Sequence, residues 1–273
     1  MNNIEFTVLM CTYKKDDPAL LEKAVESVYN NSVKPNFFIL TIDGPIPKKN
    51  QNVIKKLKQN FSIEINNIKE NIGLAKALNS AILLVKTDWI ARADSDDLNA
   101  PNRFEIQLNY ARQGFDVIGS NIYEIDIYET KQQTRLRKKM PLSNKQIIRF
   151  SKYRNPMNHM TIFYKTEAIR LVGGYPDIYL REDYGLWAKL IFHNKKFVNI
   201  NEYLVFVNGG DQLYLRRRGL RNAVGEIYLQ IYLFKYNIQT FHNALFLVLF
   251  RSLIILLPKS FLKSFYINIL RKR

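Results

Sequence analysis

The chain has 273 residues, of which 47% are hydrophobic and 24% are charged, and it can therefore bury one large core and carry an appendage. Its single cysteine, Cys11, excludes an internal disulfide, and its three scattered histidines lack the spacing of a zinc site. The first residues include neither a basic stretch nor a long apolar run, so we expect no secretory signal and a cytoplasmic protein.

The net charge of +17 is concentrated near the C-terminus. Residues 215–273 contain eleven basic side chains and one acid, a net charge of +10. Such a charge suits nucleic acid, anionic lipid or a phosphorylated substrate. Because these basic residues lie among apolar ones rather than on an aromatic-rich strand, the pattern favours lipid and we expect no nucleic-acid partner.

Predicted strands and helices alternate through the first 120 residues. The predicted strands lie near residues 6–13, 37–43, 63–65, 89–93 and 117–120, and the helices near 17–28, 53–58, 71–85 and 101–110. Asp17 is the expected N-cap of the first helix and Pro18 its first residue. Buried apolar strands joined by helices and short links predict a parallel α/β sheet.

The second half of the chain has an α+β character. We predict a strand at residues 160–164, a short helix at 165–171 and a further helix that begins at Glu182. Glu182 and Asp183 occupy the first turn of that helix. Carboxylates there complement the helix dipole, so stability alone could explain them.

Acidic side chains collect where predicted strands end. Ligands of parallel sheets bind beyond the carboxyl ends of the strands, and Thr12, Asp43 and Asp94 lie at three such ends. Asp94, Asp96 and Asp97 also fall within four residues, and Mg²⁺ or Mn²⁺ would relieve their mutual repulsion. The alternative is an acidic turn in which Asp97 is the N-cap of the next helix.

Six ordered motifs resemble the family 2 glycosyltransferases of the GT-A fold, especially bacterial enzymes that build O-antigen, capsule or exopolysaccharide. The motifs are VLMCTY (8–13), IDG (42–44), NIGLAKALN (71–79), ARADSDD (91–97), PNRF (101–104) and EDYGLW (182–187). The chain departs from the family pattern at Cys11, where Pro is common, and at Pro45 after Gly44. The second departure leaves the nucleotide base open.

The resemblance covers about residues 6–219 and implies a GT-A, Rossmann-like, mostly parallel sheet flanked by helices. Residues 1–215 would form the catalytic domain, with a nucleotide-sugar half to about residue 120 and an acceptor half over about 121–215. Residues 216–273 would form a helical, basic and apolar appendage that associates with membranes.

The resemblance also implies an inverting transfer of a hexosyl or N-acetylhexosaminyl group from a nucleotide diphosphate sugar, with UDP favoured, to a glycan or a polyprenyl-diphosphate-linked acceptor. This transfer would require Mn²⁺ or Mg²⁺. Asp96 would hold the ion with Asp94 nearby and so neutralise charge that develops on the departing β-phosphate. The implied nucleotide-sugar contacts are Thr12, Tyr13, Asp43, Asn71, Lys76, Arg92, Asp94 and Ser95. Within this set the resemblance assigns Asp43 to uracil and Asp94 to ribose or to a water-mediated metal contact. A strand would place Arg92 on the same face as Asp94, near the diphosphate or in an ion pair.

The acceptor side of the implied site lies in the second half of the chain. Asp183 would be the catalytic base, with Glu182 supporting it or orienting the acceptor. Trp187 shares a helix face with Asp183 and would either stack on a sugar or, as we expect, pack in the core. His159 is either an acceptor contact or a structural histidine. Arg216 and Arg217 would close over the diphosphate, or belong to a solvated charge run.

Two other functions fit part of the sequence. A nucleotidyltransferase can share the α/β sheet and the paired carboxylates, but we find no glycine-rich, lysine-containing phosphate loop near the first strand. A nucleic-acid-binding protein would fit the pI of about 9.8. However, the basic residues cluster among apolar residues near the C-terminus and not on an aromatic-rich strand face that could bind nucleic acid. The sequence does not identify the sugar, the acceptor or the linkage.

The C-terminal segment predicts a peripheral association with the inner face of the cell membrane. The apolar run at residues 244–257 has fourteen residues, fewer than the roughly 20 that span a bilayer, and Arg251 interrupts it. Beyond Pro258, aromatic and aliphatic residues alternate with Lys and Arg, as in an interfacial helix. The location would suit a polyprenyl-diphosphate-linked acceptor, which the resemblance implies. The alternative is a helix pair packed on the catalytic domain.

Overall fold

A computed structural model describes residues 4–125, 136–208 and 219–256. The strands in these ranges are β1 (Phe6–Thr12), β2 (Phe37–Asp43), β3 (Glu64–Ile68), β4 (Trp89–Asp94), β5 (Leu98–Asn99), β6 (Val117–Ile125), β7 (Leu136–Lys138), β8 (Phe163–Lys165) and β9 (Phe197–Asn208). The α-helices are α1 (Pro18–Tyr29), α2 (Lys48–Asn60), α3 (Leu74–Leu84), α4 (Arg103–Arg112), α5 (Asn144–Phe150), α6 (Thr166–Leu171), α7 (Glu182–Phe192), α8 (Leu220–Lys235) and α9 (Phe241–Leu256).

All nine strands belong to one sheet, in the order β3-β2-β1-β4-β8-β6-β9-β5, with β7 paired to β6. The first four positions are parallel, as predicted. From β8 onward the sheet is mixed, because β8 runs antiparallel to both β4 and β6, whereas β9 is parallel to β6. Strands of both predicted halves therefore share hydrogen bonds, and the division into halves stays a prediction.

The first helix forms where its sequence signals predict it. The carboxylate of Asp17 accepts hydrogen bonds from the backbone N–H groups of Ala19 (2.8 Å) and Leu20 (3.3 Å), and Pro18 is the first helical residue. Leu21 and Val25 on its inner face are fully buried in the core beneath β1 and β2. This helix therefore covers one face of the parallel strands.

The prediction of a strand at residues 160–164 is wrong in part. His159–Thr161 is a turn of 3₁₀-helix, and the strand begins only at Phe163. The hydroxyl of Thr161 donates to the carbonyl of Asn158 at 2.8 Å, and this local hydrogen bond stabilises the 3₁₀ turn. The turn presents His159 from a compact loop rather than from a strand.

Helix α8 packs on α7 through an apolar cluster, and α9 packs on α8. Leu229 and Leu233 of α8 share this cluster with Tyr184 and Ala188 of α7, and all four side chains are buried. Within the described ranges, no helix combines the length and the apolar character needed to cross a membrane. The predicted interfacial helix beyond Pro258 lies outside the described residues.

Candidate active site

The carboxyl ends of three parallel strands meet at one edge of the sheet. Asp94 at the end of β4 lies beside Cys11 of β1, and Thr12 of β1 lies beside Ile42, next to Asp43 at the end of β2. Thr12 and Asp43 are buried and Asp94 is half-buried. The structure thus brings together the strand ends that the sequence singles out.

Asp43 is held by the loop that precedes α3. One carboxylate oxygen accepts from the backbone N–H of Ile72 at 2.8 Å. The other accepts from the side-chain amide of Asn71 at 2.8 Å and from the N–H of Gly73 at 3.0 Å. The helix starts at Leu74 rather than at residue 71 because Gly73 has a φ of 86°, outside the helical region.

Three carboxylates cluster after β4. Ligand oxygens of Asp94, Asp96 and Asp97 lie within 4.8 Å of one another. Burial, reinforced by the negative charge of Asp96, raises the pKa of Asp97 to about 8. Closely spaced oxygen donors whose charges destabilise one another fit a hard divalent cation such as Mg²⁺ or Mn²⁺. Asp97 is not the N-cap of the next helix, because α4 begins at Arg103 and the Asp97 carboxylate accepts from the N–H of Asn208 at 3.0 Å.

Two buried arginines lie beneath this cluster. Arg92 pairs with the carboxylate of Asp94, on the strand face that the period of two predicts. Arg103, from the PNRF motif, donates from Nη2 to the carbonyl oxygen of Arg92 at 2.7 Å. Burial and the neighbouring charge of Arg92 lower the pKa of Arg103 to about 9. Sequence reasoning did not assign Arg103 to the site, although its motif was recognised.

Asp16 is a second site residue that the sequence analysis missed. Its carboxylate accepts from the hydroxyl of Ser95 at 2.7 Å and from the N–H of Tyr13 at 3.2 Å. Burial raises its pKa. Asp16 thereby connects the loop after β1 to the acidic loop after β4. The adjacent Asp17 gave a clear helix signal, whereas nothing local marked Asp16.

A second acidic site opens α7. Asp183 accepts from the side-chain amide of Asn155 at 2.6 Å and from the N–H of Tyr184 at 2.7 Å. Glu182 is buried, and burial together with the charge of Asp183 raises its pKa to about 7. The positive charge of Arg92 acts in the opposite direction on Glu182.

The remaining predicted residues have different surroundings. Nε2 of His159 lies 2.9 Å from the hydroxyl of Tyr175, and burial lowers the histidine pKa well below its ordinary value. Trp187 is fully buried, with the ring of His159 against its edge. Lys76 forms an exposed ion pair with Asp177 at 2.9 Å. Arg216 and Arg217 lie outside the described residues.

Comparison with known proteins decides the family. Residues 7–172 match Glycosyl transferase family 2. The chain belongs to this family. Over 98% of its length the glycosyltransferase is 33% identical to the Escherichia coli UDP-Gal:alpha-D-GlcNAc-diphosphoundecaprenol beta-1,3-galactosyltransferase, and the match covers 97% of that protein.

Two solved structures show that this glycosyltransferase has the GT-A fold. S. aureus TarS 1-349 in complex with UDP-GlcNAc superposes with a TM-score of 0.65 at 13% identity, over 97% of this chain and 76% of TarS 1-349. The Pyrobaculum calidifontis mannosyltransferase PcManGT in complex with GDP-Man and Mn²⁺ gives a TM-score of 0.65 at 13% identity, over 97% of this chain and 75% of PcManGT. At this level of identity the likeness concerns the fold.

The buried Glu182 makes the stability of this glycosyltransferase depend on pH. The folded state binds its proton more tightly than the unfolded state, because burial raises the pKa from 4.5 to about 7. Glu182 therefore costs stability increasingly as pH rises through this window, and the cost is complete above it. We expect Glu182→Gln to stabilise the protein at pH 8 by on the order of 3 kcal/mol and to have little effect at pH 4.5.

Urea unfolding at the two pH values measures this difference. Glu167→Gln is a matched control, because Glu167 also lies in the first turn of a helix but is exposed. The control should show no comparable gain at pH 8. Equal effects of Glu182→Gln at both pH values would contradict the prediction.

Proposed function

We propose that the chain is an inverting, metal-dependent glycosyltransferase that moves a hexosyl or N-acetylhexosaminyl group from a UDP-sugar to a polyprenyl-diphosphate-linked saccharide. The observation that carries the proposal is the cluster of Asp94, Asp96 and Asp97 at the carboxyl end of β4, whose ligand oxygens lie within 4.8 Å of one another. A cation held there would receive the diphosphate of the donor, and the acceptor would bind at the start of α7.

The donor side would use the edge of the parallel strands. Thr12, Tyr13, Asp43 and Asn71 would bind the nucleoside, where the loop bonds to Asp43 keep its carboxylate in place. Lys76, Arg92, Asp94 and Ser95 would complete the nucleotide-sugar contacts. Asp96 and Asp94, with Asp97 beside them, would hold Mn²⁺ or Mg²⁺. When bound, the ion supplies positive charge for the diphosphate that leaves.

The acceptor side would use the start of α7. The carboxylate of Asp183 takes the proton of the acceptor hydroxyl as the hydroxyl oxygen attacks the anomeric carbon from the face opposite the diphosphate. The bond from that carbon to the diphosphate oxygen breaks, its electron pair leaves with the nucleotide, and the configuration inverts. The 2.6 Å hydrogen bond from Asn155 would orient the base. Glu182 would support Asp183, while His159 would contact the acceptor.

Burial of Glu182 beside the half-buried carboxylate of Asp183 costs stability, which supports a functional role for the two residues. The charged form of a helix-capping carboxylate is stabilised by solvent and by the helix dipole, which lowers its pKa. Glu182 is instead buried, and its pKa is raised. Destabilising groups of this kind concentrate in active sites. Capping alone therefore accounts poorly for this pair.

The relatives support the choice of donor and acceptor. The name of the Escherichia coli relative specifies a UDP-sugar donor and a diphosphoundecaprenol-linked acceptor. The TarS complex contains UDP-GlcNAc, and the PcManGT complex contains Mn²⁺. We infer a step in bacterial surface polysaccharide synthesis, in which a preceding sugar-phosphate transfer must supply the lipid-linked acceptor.

A donor screen tests this function. The purified protein is incubated with Mn²⁺, a synthetic polyprenyl-diphosphate-linked acceptor and a panel of UDP-, GDP- and dTDP-sugars. Transfer from a UDP-sugar is expected. Consumption of nucleoside triphosphates without sugar transfer would instead favour the nucleotidyltransferase, and salt-sensitive binding to random oligonucleotides would favour the nucleic-acid-binding protein.

We also propose that residues 216–273 attach the enzyme to the inner face of the cell membrane. The outer side of the α8–α9 pair presents large exposed apolar side chains: Leu220, Val224, Ile227, Tyr228, Ile231, Phe234, Phe241, Leu245, Phe246, Leu249 and Phe250. The rings of Phe234 and Phe241 are 6.1 Å apart, so the apolar surface continues from one helix to the other. Exposed Arg221 and Lys235 border it. Such a surface suits an anionic bilayer.

Charges placed on this surface should weaken membrane binding. Phe246 and Leu249 are 63% and 64% exposed, so Phe246→Asp and Leu249→Asp should leave the fold intact. We expect the double variant to lose most of its sedimentation with anionic liposomes, because insertion would bury two carboxylates. Leu83→Asp is the matched control, since Leu83 is 80% exposed on α3. Wild-type protein that ignores anionic liposomes would contradict membrane attachment.

A further inference from the structure

The backbone that leads into α7 has a strained conformation. Leu180 has a φ of 56°, in the left-handed region that residues with a side chain rarely adopt. Arg181 follows as the N-cap of α7, and its own side chain makes no capping hydrogen bond. Glu182 and Asp183 come next. The position of the acidic pair therefore depends on what holds this segment.

Helix α8 holds it by close packing and by an ion pair. A Cβ added at Gly225 would lie 2.9 Å from the carbonyl oxygen of Tyr179 and 3.3 Å from Nη1 of Arg181, so the helix approaches the segment as closely as glycine permits. Nε of Arg181 donates to Glu226 of α8 at 2.8 Å, and Nη1 donates to Asn222 at 3.3 Å. These contacts join α8 directly to the residue before the acidic pair.

Arg251 of α9 connects Glu226 to the loop that carries Asn155. Nη1 of Arg251 donates to the second carboxylate oxygen of Glu226 at 2.9 Å, and Nη2 of Arg251 donates to the carbonyl of Tyr153. Tyr153 lies two residues before Asn155, whose amide binds Asp183. The Glu226 carboxylate, 3% exposed, thus reaches the acidic pair from both sides.

We propose that Glu226 is a positioning residue for the Glu182–Asp183 pair, which makes the α8–α9 pair part of the active site as well as a membrane-facing surface. This inference rests on the proposed function. Burial alone would raise the pKa of Glu226, but Arg251 and Arg181 hold it below its ordinary value, so the carboxylate stays charged. An ion pair that served stability alone would not need to contact both segments that position Asp183.

Glu226→Gln tests the inference in the full-length enzyme, because glutamine keeps the shape and removes the charge. We expect kcat to fall by about 10- to 100-fold, with the KM for the UDP-sugar unchanged within about twofold, since only the acceptor side is displaced. If Glu226 acts through Arg181, adding Arg181→Met should cause little further loss. The matched control is Asp116→Asn, which breaks another ion pair, Asp116–Lys165 at 3.0 Å. The control should keep the wild-type kcat.

Hydrogen exchange over residues 179–186 tests the same link without substrate. Faster exchange in Glu226→Gln than in Asp116→Asn supports the inference, and equal exchange together with an unchanged kcat overturns it. If Glu226→Gln does not fold, Arg181→Lys, which keeps the charge but loses the donor fork, replaces it in both measurements. A wild-type enzyme that transfers no sugar would refute the proposed function, whereas an active wild type with an equally active Glu226→Gln would refute only the inference.

Discussion

Asp96→Ala is expected to lower sugar transfer by at least about 10²-fold, because the proposed ion would lose its principal ligand and the departing diphosphate its counter-charge. The fold should persist. Asp96 raises the pKa of the buried Asp97 through its negative charge, so its removal relieves repulsion in the protein without metal. Transfer rates measured over a Mn²⁺ titration, together with thermal unfolding in EDTA, separate the loss of function from loss of structure.

The control for this experiment is Asp88→Ala. Asp88 is an exposed aspartate at the opposite end of β4, just before Trp89, and its loss should leave transfer unchanged. Full wild-type activity in excess EDTA would refute metal dependence, whatever the Asp96 variant does.

Asp183→Asn is expected to lower kcat by about 10²- to 10⁴-fold, since an amide cannot take the proton of the acceptor hydroxyl. The asparagine oxygen can still accept from the N–H of Tyr184 and so keep the start of α7 in place, whereas the amide nitrogen that replaces the other carboxylate oxygen loses the hydrogen bond from Asn155. The KM for the UDP-sugar should change little, because the donor lies at the other acidic site. NMR of the wild-type product should show an inverted anomeric configuration.

Asp88→Asn serves as the control, because Asp88 is an exposed aspartate just before Trp89, at the end of β4 opposite the acidic loop. Its kcat should equal that of the wild type. Retention of configuration would exclude a single displacement with Asp183 as its base, and a fully active Asp183→Asn would assign the base elsewhere.

The N-terminal part of the fold follows from local sequence patterns. β2 has the predicted bounds Phe37–Asp43, and α1 starts at its predicted cap, because apolar runs and capping residues act over a few positions. The place of β8 between β4 and β6 could not be predicted in this way. It depends on pairing between residues about 70 positions apart, such as Ile90 and Tyr164.

In the candidate site, too, local patterns predict contacts between residues that are close in sequence but not contacts between distant ones. The strand period predicts that Arg92 and Asp94 share a face, and they form an ion pair. Asp16 and Asn155 escaped notice because their partners, Ser95 and Asp183, lie 79 and 28 residues away and no period links them. The catalytic and binding roles of the named residues stay predictions until the variants are made.

The way in which β8 and β9 enter the sheet restricts how such an enzyme could be recombined with its relatives. β8 pairs with β4, and β9 pairs with the short β5 directly after the acidic loop. In a chimera that took everything after residue 120 from a relative, the β4–β8 and β5–β9 pairs would each join one strand from this protein to one strand from the relative. We therefore expect that grafting surface loops between strands would preserve the fold better than fusing the two halves of different relatives, when the aim is a new acceptor specificity.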